Sequence, residues 1–361
     1  MKLLNPGNAS DRDRWLCLWQ ASGREPFAHP GYVELYAGGE AQARCALYES
    51  YGGQIFYPFL LRSIPKAIAT KPAATPAFDI ISPYGYGGPL LVEKPTDKGV
   101  PEIENNDPSI QKEQKTALFS RFYREFHLWA RNNNVVSEFV RFYLFSEARE
   151  HYYGLVESPI QNVVVDLQPP LDAIRKNLPY NVRRNIRIAE QSGLHVVEDP
   201  WGSRLDDHLH VYYDTMKRRR AKAFYFFPKE WFERLMEQMP GCFTFFHTMH
   251  KDTVVASELV LTANNRAYSF LSSTLREHFN LRPAHLLKHH IIQWAKNKAY
   301  SELVLGGGQK PNDGIYAFKK SFAPKGIAPF HTGKMIFDEK TYQALSGKTT
   351  YEGFFPAYRN S

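Results

Sequence analysis

The stretch LDAIRKNLPYNVRRNIRIAEQSG sets arginines three and four positions apart: Arg184 with Arg187, and Arg183 with Arg187. On a helix those spacings bring guanidinium groups to one side. A planar guanidinium grips a phosphate or diphosphate bidentately, so Arg184 and Arg187 are candidates to hold the phosphates of an activated sugar. The same residues also make an ordinary solvated helix face. A second stretch, DIISPYGYGGPLL at 79–91, sets Tyr84 and Tyr86 among glycines and prolines. Glycine allows close backbone approach and proline stiffens it. The stretch is either a loop whose tyrosines stack on a sugar or base, or a buried aromatic turn; ligand contact is the reading carried forward.

Other apparent signals fail on spacing. GKT at 347–349 has Tyr342 where a phosphate loop needs glycine. Gly306–Gly308 follow an apolar run, but PNDGIYAFKK offers no helix opening for a dinucleotide fingerprint. His247 with His250, and His289 with His290, lack an HExxH setting, and there is no GxSxG. No metal is expected.

The elements that must position these residues repeat. CALYESYGGQIFYPFLLRSI reads as a hairpin turning at Gly52-Gly53. After the tyrosine stretch and a polar loop, EKPTDKGVPEIENNDPS, a helix is expected near 112–131, with Leu118, Phe122, Phe126 and Trp129 on one face. The strand VVSEFVRFYLF follows. In the second half CFTFFHTMHKDTVVASELVLTAN turns at Lys251-Asp252, AYSFLSST is a strand, Arg282-Pro283 opens a helix near 284–298, and SELVLGGG returns as a strand. A helix between neighbouring strands implies a parallel crossover in a mixed sheet. Between the halves lie a helix broken at Pro179, a second stopped by Gly193, DDHLHVYYDTMKRRR, and a helix led by Pro228.

Bulk properties agree with two cores. The chain has 361 residues, 43% hydrophobic and 14% aromatic, which excludes global disorder. Cys17, Cys45 and Cys242 form no even framework and the polar start MKLLNPGNASDRDRW no signal peptide, so a cytoplasmic setting is expected. The net charge of +8 favours phosphates, nucleotides, tRNA or an anionic membrane face; DNA is not expected.

Four segments in order carry a family resemblance: RRNIRIAEQSG, YYDTMKRRRAKAFYFFPKEWFERL, RPAHLLKHHIIQWAKNKAYSELVLGGG and GIYAFKKSFAP. They resemble the Fem family of peptidoglycan-bridge aminoacyl transferases, and SPYGYGGP is similar to Fem-related acetyltransferases of the GNAT class. The resemblance implies an α/β (α+β) fold of two tandem GNAT-like domains, set at 1–158 and 159–361, each a mixed sheet flanked by helices. It implies transfer of an acyl or aminoacyl group to an amine. The donor is expected to be acyl-CoA and the acceptor a nucleotide- or lipid-linked amino sugar or cell-wall precursor. The alternatives are aminoacyl-tRNA-dependent transfer to a peptidoglycan precursor and a non-catalytic binding module. Peripheral contact with an anionic membrane fits either enzyme.

The long coiled-coil arm that many bridge-forming members use to dock tRNA has no room between KRRRAKAFYFF and the Pro228 helix. The loop LREHFNLRPAHLL, where GNAT enzymes hold pyrophosphate, has no glycine, leaving Arg276, Arg282 and the helix start to bind phosphate. By resemblance, the Lys319 ammonium stabilises charge developing on the reacting carbonyl. Glu258, after VVAS, is either the base that takes the amine proton or a strand-edge surface acid. Asp313 and Tyr316 flank the lysine and are expected to shape its pocket.

Overall fold

The computed structural model describes residues 1–50, 52–65, 76–93, 108–347, 351 and 353–360. Most of the expected polar loop after Glu93, and Lys348 and Thr349 of the GKT motif, lie outside them. The chain begins β1 (Lys2–Leu4), α1 (Ala9–Ala21), α2 (Pro30–Glu34), β2 (Ala41–Ser50), β3 (Gly53–Ser63), β4 (Phe78–Ile81), β5 (Leu90–Val92), α3 (Pro108–Asn132) and β6 (Val135–Arg141). It continues β7 (Leu155–Asp166), α4 (Leu171–Asn177), α5 (Tyr180–Gln191), β8 (Leu194–Asp199), α6 (Leu205–Arg218) and α7 (Lys229–Gln238). Then come β9 (Phe243–His250), β10 (Thr253–Thr262), β11 (Arg266–Thr274), α8 (Pro283–Asn297), β12 (Glu302–Gly306), α9 (Gly314–Lys320), β13 (Ile327–Ile336) and α10 (Glu339–Ser346).

Two compact units result: residues 1–159 with 330–361, and residues 160–329. Each is a mixed sheet flanked by helices, as the repeated order implied. In the first unit the strands run β1-β2-β3-β4-β6-β13, with β5 on β3. All pair antiparallel except β4 with β6, which α3 connects. In the second the order is β7-β12-β11-β10-β9-β8, again antiparallel except β11 with β12, connected by α8. The expected turn at Lys251-Asp252 closes the second hairpin; in the first, Gly53 already belongs to β3 and pairs with Ser50, so the expected turn at Gly52-Gly53 is shifted by one residue.

The units differ from the linear division at 158/159 in one respect. The sequence from Phe330 onward belongs to the first unit, where β13 pairs β6 from Thr332–Arg141 to Ile336–Ser137. Pattern along the chain gives a strand's faces but not its neighbours.

Each unit has its own core. Phe122 and Phe126 of α3 stack 5.7 Å apart and pack on Tyr57 and Phe59 of β3. In the second unit Val182, Ile186 and Ala189 of α5 and Leu287, Ile291 and Trp294 of α8 share one core with the sheet.

Candidate active site

The second unit's parallel pair comes apart. β11 and β12 are in register only at Arg266–Glu302, Ala267–Leu303 and Tyr268–Val304. Beyond that β11 runs on to Thr274, while β12 ends at Gly306 in a left-handed conformation (φ +76°). A bulge adds to the divergence: Leu259 pairs Leu271 and Val260 pairs Ser269, leaving Phe270 as the extra residue. Bulges increase local twist and recur beside active sites.

At the end of β12 three successive glycines are closely approached by side chains. A Cβ on Gly306 would lie 3.3 Å from the Lys319 Nζ; one on Gly307, 2.7 Å from the Asn162 amide oxygen; one on Gly308, 2.2 Å from an Asp313 carboxylate oxygen. Side chains larger than glycine would displace the groups that meet here. The expectation that no helix opens after this loop is corrected: α9 begins at Gly314, and Asp313 caps it by accepting from the Tyr316 N–H at 2.8 Å. Asp313 also accepts from the N–H groups of Gln309 and Lys310, at 2.7 and 3.1 Å. Burial acts to raise its pKa, but these backbone hydrogen bonds win and hold the carboxyl below its usual range. Tyr316 is buried and donates its hydroxyl to Gln161 at 2.8 Å.

Lys319, in the last turn of α9, donates to the Gly307 carbonyl at 2.8 Å. Burial, reinforced by repulsion from Lys288, lowers its pKa to about 8, against the opposing pull of Glu258 and Asp313. Its neighbour Lys320 instead reaches over the Tyr316 ring, 5.8 Å from the centroid.

Glu258 is 0% exposed, not at a strand edge. Both its oxygens accept from Lys288 Nζ, at 2.5 and 2.7 Å, and that ammonium also donates to Ser269 Oγ at 2.7 Å. A carboxylate so engaged is not poised to take a proton from an acceptor amine, so the expected base is corrected to half of a buried ion pair. Lys288, 2% exposed, is the partner that the sequence reading missed. Its signal was there: it stands directly after Leu287, three before Ile291, inside an apolar helix face.

The other expected residues stand on other elements. Arg276 and Arg282 are exposed on the segment leading into α8. Arg282 itself adopts the left-handed conformation (φ +62°) where a glycine is usual. The α8 start is a poor phosphate cradle: Pro283 has no N–H, and the His285 N–H is spent on the Arg282 carbonyl. Arg184 and Arg187 are exposed on α5 and, with Arg183, Arg175, Lys176 and Tyr180, line a surface groove between α4 and α5. Asn185, next to Arg184, contacts His285 of α8 at 3.1 Å.

The tyrosine stretch belongs to the first unit, and the ligand reading of Tyr86 is corrected. Tyr86 is buried edge-on against Phe27 and Phe330, with centroids 5.1 and 5.6 Å away. Tyr84 is half-buried and accepts the Tyr32 hydroxyl at its carbonyl, at 2.7 Å. A Cβ on Gly85 (φ +105°) would sit 2.4 Å from the Phe27 ring. The glycines therefore allow packing against aromatic rings.

Residues 176–320 match the acetyltransferase (GNAT) domain family. That match lies within the second unit of a two-unit α/β fold. That fold is similar to the crystal structure of FemX, at a TM-score of 0.65 over 95% of this chain and 99% of that one, with 12% identity. It is also similar to L-PGS from Bacillus licheniformis, at 0.55 over 92% and 94% with 13% identity. The third is the C-terminal domain of a putative lysylphosphatidylglycerol synthetase from Agrobacterium fabrum, at 0.54 over 90% and 91% with 14% identity. No curated protein sequence matches the chain. Among the described residues no group of three or more His, Cys, Asp or Glu is arranged to hold a metal ion, and no helix is long and apolar enough to cross a membrane.

Proposed function

We propose that the GNAT domain catalyses N-acylation, moving an acyl group from acyl-CoA to the amino group of a nucleotide- or lipid-linked sugar or another cell-envelope precursor. One observation carries the reading: the Lys319 ammonium lies at the parting of β11 and β12, against Gly306 and Gly307. A thioester entering between those strands presents its carbonyl to that cation. The neutral amine attacks the carbonyl carbon, a C–N bond forms and the C–S bond breaks. The proton lost by nitrogen ends on the leaving sulfur. Negative charge builds on the carbonyl oxygen only during attack, so a cation aimed there acts more on the transition state than on the bound donor.

With Glu258 committed to Lys288, the amine proton leaves through water. The protein's task is then charge stabilisation and positioning. Asp313 fixes the start of α9 and so the reach of Lys319; Arg276 and Arg282 are the side chains available for the donor's phosphates.

The poor phosphate cradle at α8, with Pro283 at its first position, favours a second reading: aminoacyl-tRNA as donor, with the exposed arginines of α5 beside its path. There an ester C–O bond breaks in place of C–S. The names of the similar folds, FemX and L-PGS, agree with a cell-envelope acceptor under either reading. The deciding experiment is single-turnover transfer to a panel of amino-sugar nucleotides and lipid-linked precursors, with acyl-CoA or aminoacyl-tRNA supplied in turn. Consumption of acyl-CoA alone supports the first reading, and consumption of aminoacyl-tRNA alone replaces it with the second. Binding of acceptors without turnover by either donor overturns both.

A further inference from the structure

The loop between α6 and α7, RRAKAFYFFP from Arg219 to Pro228, combines two features. It is firmly held, and it leaves an aromatic ring in solvent. Arg220 turns the chain back with φ +50°, and the Ala221 N–H closes on the Met216 carbonyl at 3.0 Å. Two tyrosines of α6 then tie the loop down: Tyr212 donates to the Tyr225 carbonyl, and Tyr213 to the Phe227 carbonyl at 2.9 Å. Phe227 stacks on Trp231, with centroids 4.6 Å apart, and Phe226 lies parallel to Tyr213 at 6.5 Å. Phe224 is the one phenylalanine of the loop turned outward, 56% exposed.

Cations stand beside Phe224 along the loop. Arg219, Arg220 and Lys222 are exposed and have no ion-pair partner among the described residues. Alongside, the Arg218 guanidinium covers the ring of Phe279, 4.9 Å from its centroid, and Phe279 is itself exposed. An apolar ring amid unpaired cations suits a surface that is negative at its face and apolar just beneath it. That describes a bilayer bearing anionic headgroups.

We propose that the α6–α7 loop docks the protein on an anionic lipid bilayer, with Phe224 entering below the headgroups and Arg219, Arg220 and Lys222 contacting their phosphates. Because the loop is ordered beforehand, docking has little conformational entropy to overcome. Each cation near such a surface raises partitioning about fivefold, and salt screens the effect. Docking would bring the GNAT domain to acceptors carried on lipid. It is read without turnover, so its failure leaves the acyl-transfer reading standing, and the reverse.

The test is co-sedimentation of the full chain with vesicles rich in phosphatidylglycerol, and with vesicles of phosphatidylcholine alone. The expected result is salt-sensitive binding to the first and none to the second. Phe224→Ser, with an unchanged thermal midpoint, is expected to weaken binding roughly tenfold. Arg220→Glu with Lys222→Glu is expected to weaken it by more than about tenfold. The control is Arg183→Glu with Arg184→Glu, which makes the same change in net charge on α5 and should stay within about twofold of the parent protein. Equal loss in the control overturns the proposal in favour of non-specific attraction. So does intact binding by Phe224→Ser, absence of any anionic preference, or binding of an RNA oligonucleotide in place of vesicles.

Discussion

The two units use the same device, a parallel strand pair joined by a helix, and treat it in opposite ways. In the second unit β11 and β12 part after three registered pairs, and Lys319 donates to Gly307 just beyond the end of β12. In the first unit the corresponding pair, β4 and β6, stays stitched past the end of β4. Ser82 N–H donates to the Phe139 carbonyl, Arg141 N–H to Ser82 Oγ at 3.0 Å, and Tyr143 N–H to the Gly87 carbonyl at 3.0 Å. Gly87 and Phe142 form a further parallel bridge. The stretch SPYGYGGP thus extends the pairing in the first unit, with its own Tyr86 packed on Phe27 and Phe330. One topology leaves the strands apart beside the candidate site in one unit and has a loop zip them together in the other.

The buried acids make the same contrast. Glu138 of β6 pairs with no cation among the described residues; it accepts from the Tyr57 and Tyr152 hydroxyls at 2.8 Å each, and burial pushes its pKa up to about 7 despite them. Glu258 of β10 is balanced by Lys288.

The contrast is most strongly tested at that ion pair. Lys288→Met leaves Glu258 buried and unpaired and is expected to destabilise the chain by about 3–5 kcal/mol, whereas Lys288→Met with Glu258→Leu should recover most of the loss. Urea denaturation measures both; an additive double variant would dissolve the pair as a unit. Next, Lys319→Ala should fold and bind normally, yet transfer roughly 100- to 1,000-fold more slowly in single turnover. Lys320→Ala should be near normal, and Lys319→Arg should not fully rescue, because a planar fork does not replace a compact ammonium. The parent rate should also fall as pH rises through about 8, where Lys319 loses its charge. Retention of rate in Lys319→Ala would remove the site from α9.

In the first unit, Gly85→Ala drives a methyl toward the Phe27 ring and should cost about 1–3 kcal/mol with little change in kinetics. A kinetic defect in a stable Gly85→Ala protein would return the tyrosine stretch to ligand binding. The smallest effect is expected at Glu138. Its folded pKa is raised, so its contribution is fully present below about 4.5 and is lost as pH climbs through about 7. Glu138→Gln should therefore flatten the decline in stability over that window. An unchanged pH profile would mean that the acid is not held neutral.

Much of this was written locally and part was not. The hairpins, the crossover helices and the breaks at Pro179 and Gly193 follow from apolar spacing and turn residues, which act over a few positions. The environment of a charged side chain does not. Glu258 sits in VVASELVLT, apolar on both sides, and Lys288 in HLLKHHIIQW; each is improbable in a core alone, and only the fold brings them to each other. Tyr86 was misread because a glycine and tyrosine run has the same composition whether it receives a ligand or packs on Phe27. The bond that keeps Lys319 in place runs to a glycine carbonyl, which no side-chain pattern announces.

The exchange at β13 has a consequence for how such a chain can be made. The second unit is one uninterrupted passage, 160–329, whereas the first needs residues from both sides of it. On a ribosome, β6 emerges early and must wait, its β13 edge unpaired, until the whole second unit has been synthesised and β13 follows. Unpaired strand edges are sticky. The order of assembly is therefore inside-out, with the later-made unit complete first, and the apolar strands of the earlier one are the part of the nascent protein most in need of a chaperone.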